Sequence, residues 1–426
     1  MRDLCQLSAI EAASEIASGS ITSHQLVSAC LHRIDSRDEN VRAWQYVDAE
    51  AALEQARIKD QQEPAGPLHG VPVGIKDVID TQSMPTTYGS MIYKDFVPKR
   101  DATCVQRLQQ AGAIILGKTV TAEFAIYQPG PTANPHNFAH TPGGSSSGSA
   151  AAVADFQVPL ALGTQTAGSV IRPASFCGVI GFKSTKSRYD GQGMIDTAPH
   201  LDTLGAFSRS VDDLLLLDGV LGPDEAEPNK EKENSVIGVC RSPAWEHASS
   251  SMQTAILDVA ERLRKADAKV IDIELPSIFD KLASAQKKIH SREAWDCLGQ
   301  HLRNNPSQIS EVLTSFLIGG RDLSDNSYDE ALVVQESCKR AIDIAFQDAD
   351  LLLTPSATGT APLGLLATGD PIFNRIWTAL GVPCLGFPAQ RDINAMPLGA
   401  QIIGKPGMDR QLIKRASWVI RHGSIW

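Results

Sequence analysis

Apolar residues near the start of the chain recur at helical spacing, with Leu26, Val27, Cys30, Leu31 and Ile34 on one stripe behind Thr22. Two helix starts precede them. Ser8 with Glu11, and Thr22 with Gln25, have the capping-box spacing, in which hydroxyl and carboxyl or amide side chains satisfy each other's free backbone N–H groups. Gly19 is positioned to end the first helix, and the first 60 residues read as helices. Gly66-Pro67 then breaks the chain ahead of a strand from Val71 to Lys76. Asp101 to Ala111 is helical, Gly112 caps it, and the short apolar run Ala113 to Leu116 is a buried strand. Residues 134–149 form a loop, Ala150 to Asp155 has helix-forming composition, and Val158 to Gly163 is a second buried strand. A Thr/Ala/Gly/Ser turn and a new element from Val170 follow. Helical periodicity dominates from Ser250 to about Phe346, and strands return at Leu351 to Thr354, Cys384 to Phe387 and Gly399 to Ile403. Such alternation predicts an α/β fold, a large mixed and mostly parallel central sheet covered by helices on both faces.

The chain of 426 residues reads as one domain: a core at 60–220, a mainly helical and substrate-lining stretch at 223–345, and a return to the sheet at 346–426. Residues 223–234, charged and containing proline, are expected to be a surface connection. Composition narrows the function. With 42% apolar residues the chain has enough to fill a core, and its net charge of −10 argues against nucleic acid or an anionic membrane as partner. The eight cysteines include no C-x-x-C pair, which argues against a zinc ribbon or disulfide scaffold. No secretory leader or apolar run of membrane-spanning length is visible, so the expected location is cytoplasmic.

Three motifs attract attention and fail on context. Gly112 to Thr119 satisfies G-x-x-x-x-G-K-[ST], but a phosphate loop follows a strand and curls, whereas this one follows a helix and contains an apolar strand. Gly144-Ser-Ser146-Ser-Gly148 satisfies G-x-S-x-G, which makes Ser146 the nucleophile of an alternative, α/β-hydrolase-type serine esterase. That elbow requires a buried strand before it, and 136–142 is a poor strand. His136 and His140 have zinc-ligand spacing, but Pro135 and Pro142 oppose the helix that spacing needs.

Three further pieces carry chemistry: Val73-Gly-Ile-Lys76, Pro142-Gly-Gly-Ser145-Ser-Ser147, and Gly163-Thr-Gln-Thr166-Ala167-Gly168-Ser169-Val-Ile-Arg172. A lysine is usually a solvated charge and a serine run usually a linker. Lys76, however, ends an apolar strand, where desolvation disfavours its ammonium and leaves an amine able to act as a base. Ser169 follows the carboxyl end of a strand, beside small residues whose backbone N–H groups can converge as an oxyanion hole. No histidine neighbours any of the three pieces closely enough in sequence to be an obvious base, so lysine acting through a second serine becomes attractive.

These pieces, their order and their spacing resemble the amidase signature family, compact malonamidase-like members included. The resemblance extends through 176–183, 201–205, 209–212 and 379–383, covering most of the chain outside 223–345. It implies a metal-free and cofactor-free amidohydrolase that cleaves a carboxylic amide C–N bond through an acyl-serine. In it Ser169 is the nucleophile, Ser145 a bridging serine after a cis peptide, and Lys76 the base. It further implies an oxyanion hole at Thr166, Ala167, Gly168 and Ser169, with Ser147 as a supporting hydroxyl. Arg172 is either a clamp for a substrate carboxylate or structural. Ala167 stands where the family usually has glycine, so strain from a positive φ is expected there. Expected partners are a small-molecule amide and at most a second copy of the chain in a homodimer. A rival reading from the same resemblance is a non-autonomous component, similar to the A-type subunit of tRNA-dependent amidotransferases.

Overall fold

Both capping boxes close. Ser8 and Glu11 start α1 (Ala9–Ala17), and Thr22 and Gln25 start α2 (Ser23–Val41), each pair with both hydrogen bonds present. Gly19 follows α1 with φ +72 and Gly112 follows the fourth helix with φ +94, conformations that glycine adopts without steric cost. The computed structural model describes residues 3–223 and 235–426; apart from Pro223, the surface connection expected at 223–234 lies outside the described residues.

The remaining helices are α3 (Ala49–Asp60), α4 (Thr103–Gln110), α5 (Ser147–Ala154), α6 (Ile171–Cys177), α7 (Val211–Leu221), α8 (Ser250–Lys265), α9 (Leu282–Asn304), α10 (Glu311–Arg321), α11 (Asp325–Ala345), α12 (Ile372–Leu380) and α13 (Asp409–Gly423). The strands are β1 (Trp44–Val47), β2 (Pro72–Lys76), β3 (Ile114–Thr119), β4 (Leu160–Gln165), β5 (Ile180–Lys183), β6 (Thr203–Ser208), β7 (Val236–Cys240), β8 (Lys269–Ile273), β9 (Leu351–Pro355), β10 (Cys384–Arg391) and β11 (Pro397–Ile403). They form one sheet in the order β1-β3-β2-β4-β6-β5-β10-β11-β9-β7-β8. Every residue of β2, β3, β4, β5, β6, β9 and β11 is buried. Successive side chains point to opposite faces, so such strands need cover on both sides. Only the two edge strands, β1 and β8, have no buried residue.

The large mixed sheet is as expected, but its pairing is not mostly parallel. Parallel pairing is confined to the trios β3-β2-β4 and β8-β7-β9, and six of the ten strand pairings among the described residues are antiparallel. Antiparallel neighbours need only a hairpin. β10 and β11 are joined by one, in which the Asp392 carboxylate accepts from the amides of Asn394 and Met396. The opening segment is not wholly helical, because β1 pairs with the edge of β3. Four residues are too few to register as a period. Two strands, β7 and β8, likewise interrupt the stretch expected to be helical.

Candidate active site

Parallel strands bring their carboxyl ends to one place. Ile75 of β2 lies opposite Leu162 of β4, so Lys76 ends its strand level with Gly163, one residue short of Thr164. α5 begins next to them, where the Gly148 amide and the Ser147 hydroxyl both donate to the Val120 carbonyl, at 3.0 and 3.3 Å. A Cβ on Gly148 would lie 2.1 Å from the Ala43 carbonyl oxygen and 2.4 Å from the Val120 nitrogen, so only glycine lets the helix start here.

Lys76 is fully buried. Its Nζ donates to Ser145 Oγ and Thr164 Oγ1, both at 2.8 Å, and more weakly to the Thr164 carbonyl at 3.4 Å. Burial drives its pKa down from 10.5 to about 7, and the negative charge of Asp202 opposes that shift. Ser145 follows a cis peptide bond from Gly144. Arg172 holds the carbonyl of that bond, Nη2 donating to the Gly144 oxygen at 2.7 Å while Nε donates to the Thr368 oxygen at 2.7 Å. Two of its three nitrogens are thus engaged in the protein, which favours the structural role; Nη1 is buried without a partner.

The loop 166–169 has an ordered polarity. Its four carbonyls are all bound: Thr166 by Gln286 Nε2 at 3.0 Å, Ala167 by Thr378 Oγ1 at 2.7 Å, Gly168 by the Arg172 amide at 3.0 Å, and Ser169 by the Ser146 amide at 3.3 Å. Among the described residues its four amides donate to no protein acceptor. They remain open to an incoming oxyanion. Gln165 fixes the exit from the loop, its Oε1 accepting from the amides of Val170 and Ile171 at 2.9 and 3.0 Å. Ala167 is not in a left-handed conformation, so the strain expected there is absent. Asp202 accepts from the Thr166 hydroxyl and from the amides of Thr197 and Ala198, the latter two at 2.8 Å.

The other motifs are absorbed by the fold. Ser146 is fully buried, its hydroxyl bonded to the Thr164 backbone at 3.2 and 3.3 Å, and no strand leads into it. Residues Gly117 to Thr119 are strand, and Lys118 pairs with Asp77 at 3.4 Å and donates to the Ile79 carbonyl at 2.7 Å. His136 and His140 bond the carbonyls of Cys177 and Ala361, at 2.9 and 2.8 Å. Sequence reasoning assigned no role to Thr164, Asp202, Gln286, Arg375 or Thr378. Thr164 follows Gly163, where the expected strand ends, and only the pairing of β4 with β2 brings it to Lys76.

Residues 25–413 match the profile of the family described as Amidase. The chain belongs to the amidase signature family. Among amidase relatives, the A-type subunit of the glutamyl-tRNA(Gln) amidotransferase of Streptomyces coelicolor is 32% identical, over 97% of this chain and 95% of its own length. A crystal structure of an amidase superposes with a TM-score of 0.90 at 28% identity, covering 97% of this chain and 99% of that one. The peptide amidase of Stenotrophomonas maltophilia superposes with a TM-score of 0.85 at 26% identity, covering 98% of this chain and 97% of that one. Membership makes the chain an enzyme of amide chemistry, hydrolase or amidotransferase. No helix among the described residues is long and apolar enough to cross a membrane.

Proposed function

We propose that the chain is a serine amidohydrolase that cleaves a carboxylic amide through an acyl-serine, with Ser169 as nucleophile, Ser145 as relay and Lys76 as base. The observation that carries this reading is the fully buried Lys76 amine, 2.8 Å from Ser145 Oγ, next to a loop with four open amides that ends in Ser169. Ser169 Oγ attacks the amide carbon while its proton moves to Ser145 Oγ, whose own proton passes to the neutral Lys76 amine. The carbonyl oxygen takes the negative charge and is received by the amides of 166–169. As the C–N bond breaks, the leaving nitrogen recovers a proton from Lys76 through Ser145. Water then repeats the sequence on the ester and frees the carboxylate.

The test is labelling. A fluorophosphonate probe is expected to add its mass to the Ser169 peptide, and Ser169→Ala is expected to abolish both labelling and turnover of simple amides. Labelling at Ser146, with turnover retained in Ser169→Ala, overturns the assignment. A second reading is favoured by the 32% identity, along nearly the full length, to one component of an amidotransferase: that this chain, too, works within a complex. Steady hydrolysis of simple amides by the purified chain alone argues against it, and turnover that appears only with a partner argues for it.

A further inference from the structure

A cavity of about 470 Å³ lies between α13, the outer end of β10 and the turn out of α6. It shares no residue with the loop 166–169, Lys76 or Ser145, and its volume is that of a small-molecule site. Gly178 caps α6 at φ +67, and a Cβ there would lie 2.4 Å from the Trp426 ring, so glycine makes room for the indole. The Ser424 hydroxyl donates to the Pro388 carbonyl at 2.7 Å and the Ile425 amide to the Ala389 carbonyl at 2.9 Å, which pins the segment bearing that indole to β10. Phe156 stands just past the cap of α5, at φ +60, where helices favour glycine. Each ring carries a guanidinium: Arg391 lies 3.9 Å from the Trp426 centroid, and Arg209 lies 4.8 Å from that of Phe156.

The charges around this cavity have one sign. Its lining holds three arginines, Arg209, Arg391 and Arg421, and no aspartate or glutamate, in a chain with 49 acidic against 39 basic residues. Arg209 is spent on neutral acceptors, the carbonyls of Cys5, Leu7, Val153 and Val158. Arg391 donates only to the Ala395 carbonyl, at 2.9 Å, and Arg421 has no hydrogen-bond or ion-pair partner among the described residues. The carboxyl end of α13 favours a cation at Arg421 but explains neither of the others. His136 meets the Trp426 ring edge-on and is held below its ordinary pKa by burial, helped by the charge of Arg391, so it brings an aromatic wall rather than a further cation. Asp155, which also acts on His136, is taken by Arg33 and Arg37 at 3.0 Å each. Beneath these groups Val179 and Ile180 are buried and apolar. A guanidinium stacked on a ring keeps its N–H edge free for a carboxylate or a phosphate, and the uncompensated charge makes that bond favourable.

We propose that this cavity is a second binding site, separate from the reaction loop, for a small anion with an aromatic body: a carboxylate or phosphate on a flat ring system. Arg391 and Arg421 take the charge, and the ring lies among Phe156, Val179, Ile180 and Trp426. The site goes beyond the amidohydrolase reading and does not depend on it.

The experiment is titration calorimetry of the full chain with 2-naphthoate and 2-naphthyl phosphate, which separate the two sources of charge. Acetate and inorganic phosphate supply the charge without the ring, and 2-naphthalenemethanol supplies the ring without the charge. At least one naphthyl anion is expected to bind with a Kd of about 10 to 100 µM, and about 30-fold or more tighter than the alcohol or its own bare anion. Arg391→Gln and Arg421→Gln are each expected to weaken it about 10-fold and to leave the alcohol unchanged. Both arginines are exposed, so the two variants keep the core intact. Equal binding of the naphthyl anions and the alcohol overturns the charge assignment, and equal binding of the bare anions overturns the aromatic one. Binding that is unchanged in both variants places the probe elsewhere and overturns the proposal, as does the absence of binding by either naphthyl anion at about 1 mM.

Discussion

Replacing Lys76 by alanine removes the one amine buried against Ser145, and the size of the effect follows from its titration. At its ordinary value of 10.5 a lysine has about one neutral amine in 3,000 at pH 7; at about 7, half are neutral. Burial therefore raises the concentration of usable base by about three orders of magnitude, partly offset by the weaker basicity of the amine. In wild type, kcat/KM is expected to fall tenfold per pH unit below about 7, reaching roughly one-fiftieth of its neutral value at pH 5. Lys76→Ala is expected to lose at least about 1,000-fold in acylation rate and the acid limb with it. Lys76→Arg is expected to be equally inactive, since a guanidinium keeps its proton. Asp202 is the competing source of a limb, because burial raises its pKa, so Asp202→Asn is the control and its limb is expected to remain. Stopped-flow acylation of an activated amide from pH 5 to 9 reads all four proteins. A flat wild-type profile, or an unchanged limb in an active Lys76→Ala, refutes the reasoning.

The same depressed pKa has a stability counterpart of defined sign. Between pH 7 and 10.5 the unfolded chain holds a proton on Lys76 that the folded chain lacks, so stability gained at high pH is lost as pH falls towards 7. Below 7 the folded state carries the full penalty, of order 5 kcal/mol. The change with pH of the difference in unfolding free energy between wild type and Lys76→Met isolates it, since Lys118 and the other buried groups titrate in both; a difference that stays constant from pH 7 to 10.5 contradicts the depressed value.

Ser146→Ala removes hydrogen bonds of 3.2 and 3.3 Å to the Thr164 backbone, so a loss of about 1 kcal/mol in a urea melt is expected, with turnover within about threefold of wild type. Abolished turnover in a folded Ser146→Ala restores the elbow reading. Gly148→Ala presses a methyl onto backbone on two sides and is expected to cost about 3 kcal/mol or more, and an unchanged Tm contradicts the close approach at the start of α5.

Local signals predicted local structure. Ser8 with Glu11 and Thr22 with Gln25 act within four residues, and both close as their spacing requires. The apolar runs that became β2, β3, β4, β9, β10 and β11 were legible because both faces of those strands are buried, apart from the outer end of β10. Half-exposed β1 and β8 carry no such run, and their strand character comes from pairing with β3 and β7. Lys76, Ser145 and Ser169 were found because each sits in a short string whose composition is odd for its setting. Arg172 lay in such a string too, but its two roles differ only in what faces it, namely the carbonyls of Gly144 and Thr368.

The direction of the loop amides is the part no local string encodes. In a trans peptide the carbonyl of one residue and the N–H of the next point opposite ways. Binding the carbonyls of Thr166, Ala167 and Gly168 therefore turns the amides of Ala167, Gly168 and Ser169 away from those donors. Two of the donors, Gln286 on α9 and Thr378 on α12, lie 120 and 211 positions along the chain from the carbonyls they hold. The third is the Arg172 amide, set by the first turn into α6. Small residues at 166–169 permit several orientations, and distant side chains select one. The selecting helix α12 also carries Arg375. Arg375 reaches the loop through Gln286, so a shift of that helix moves the donors to the Thr166 and Ala167 carbonyls together.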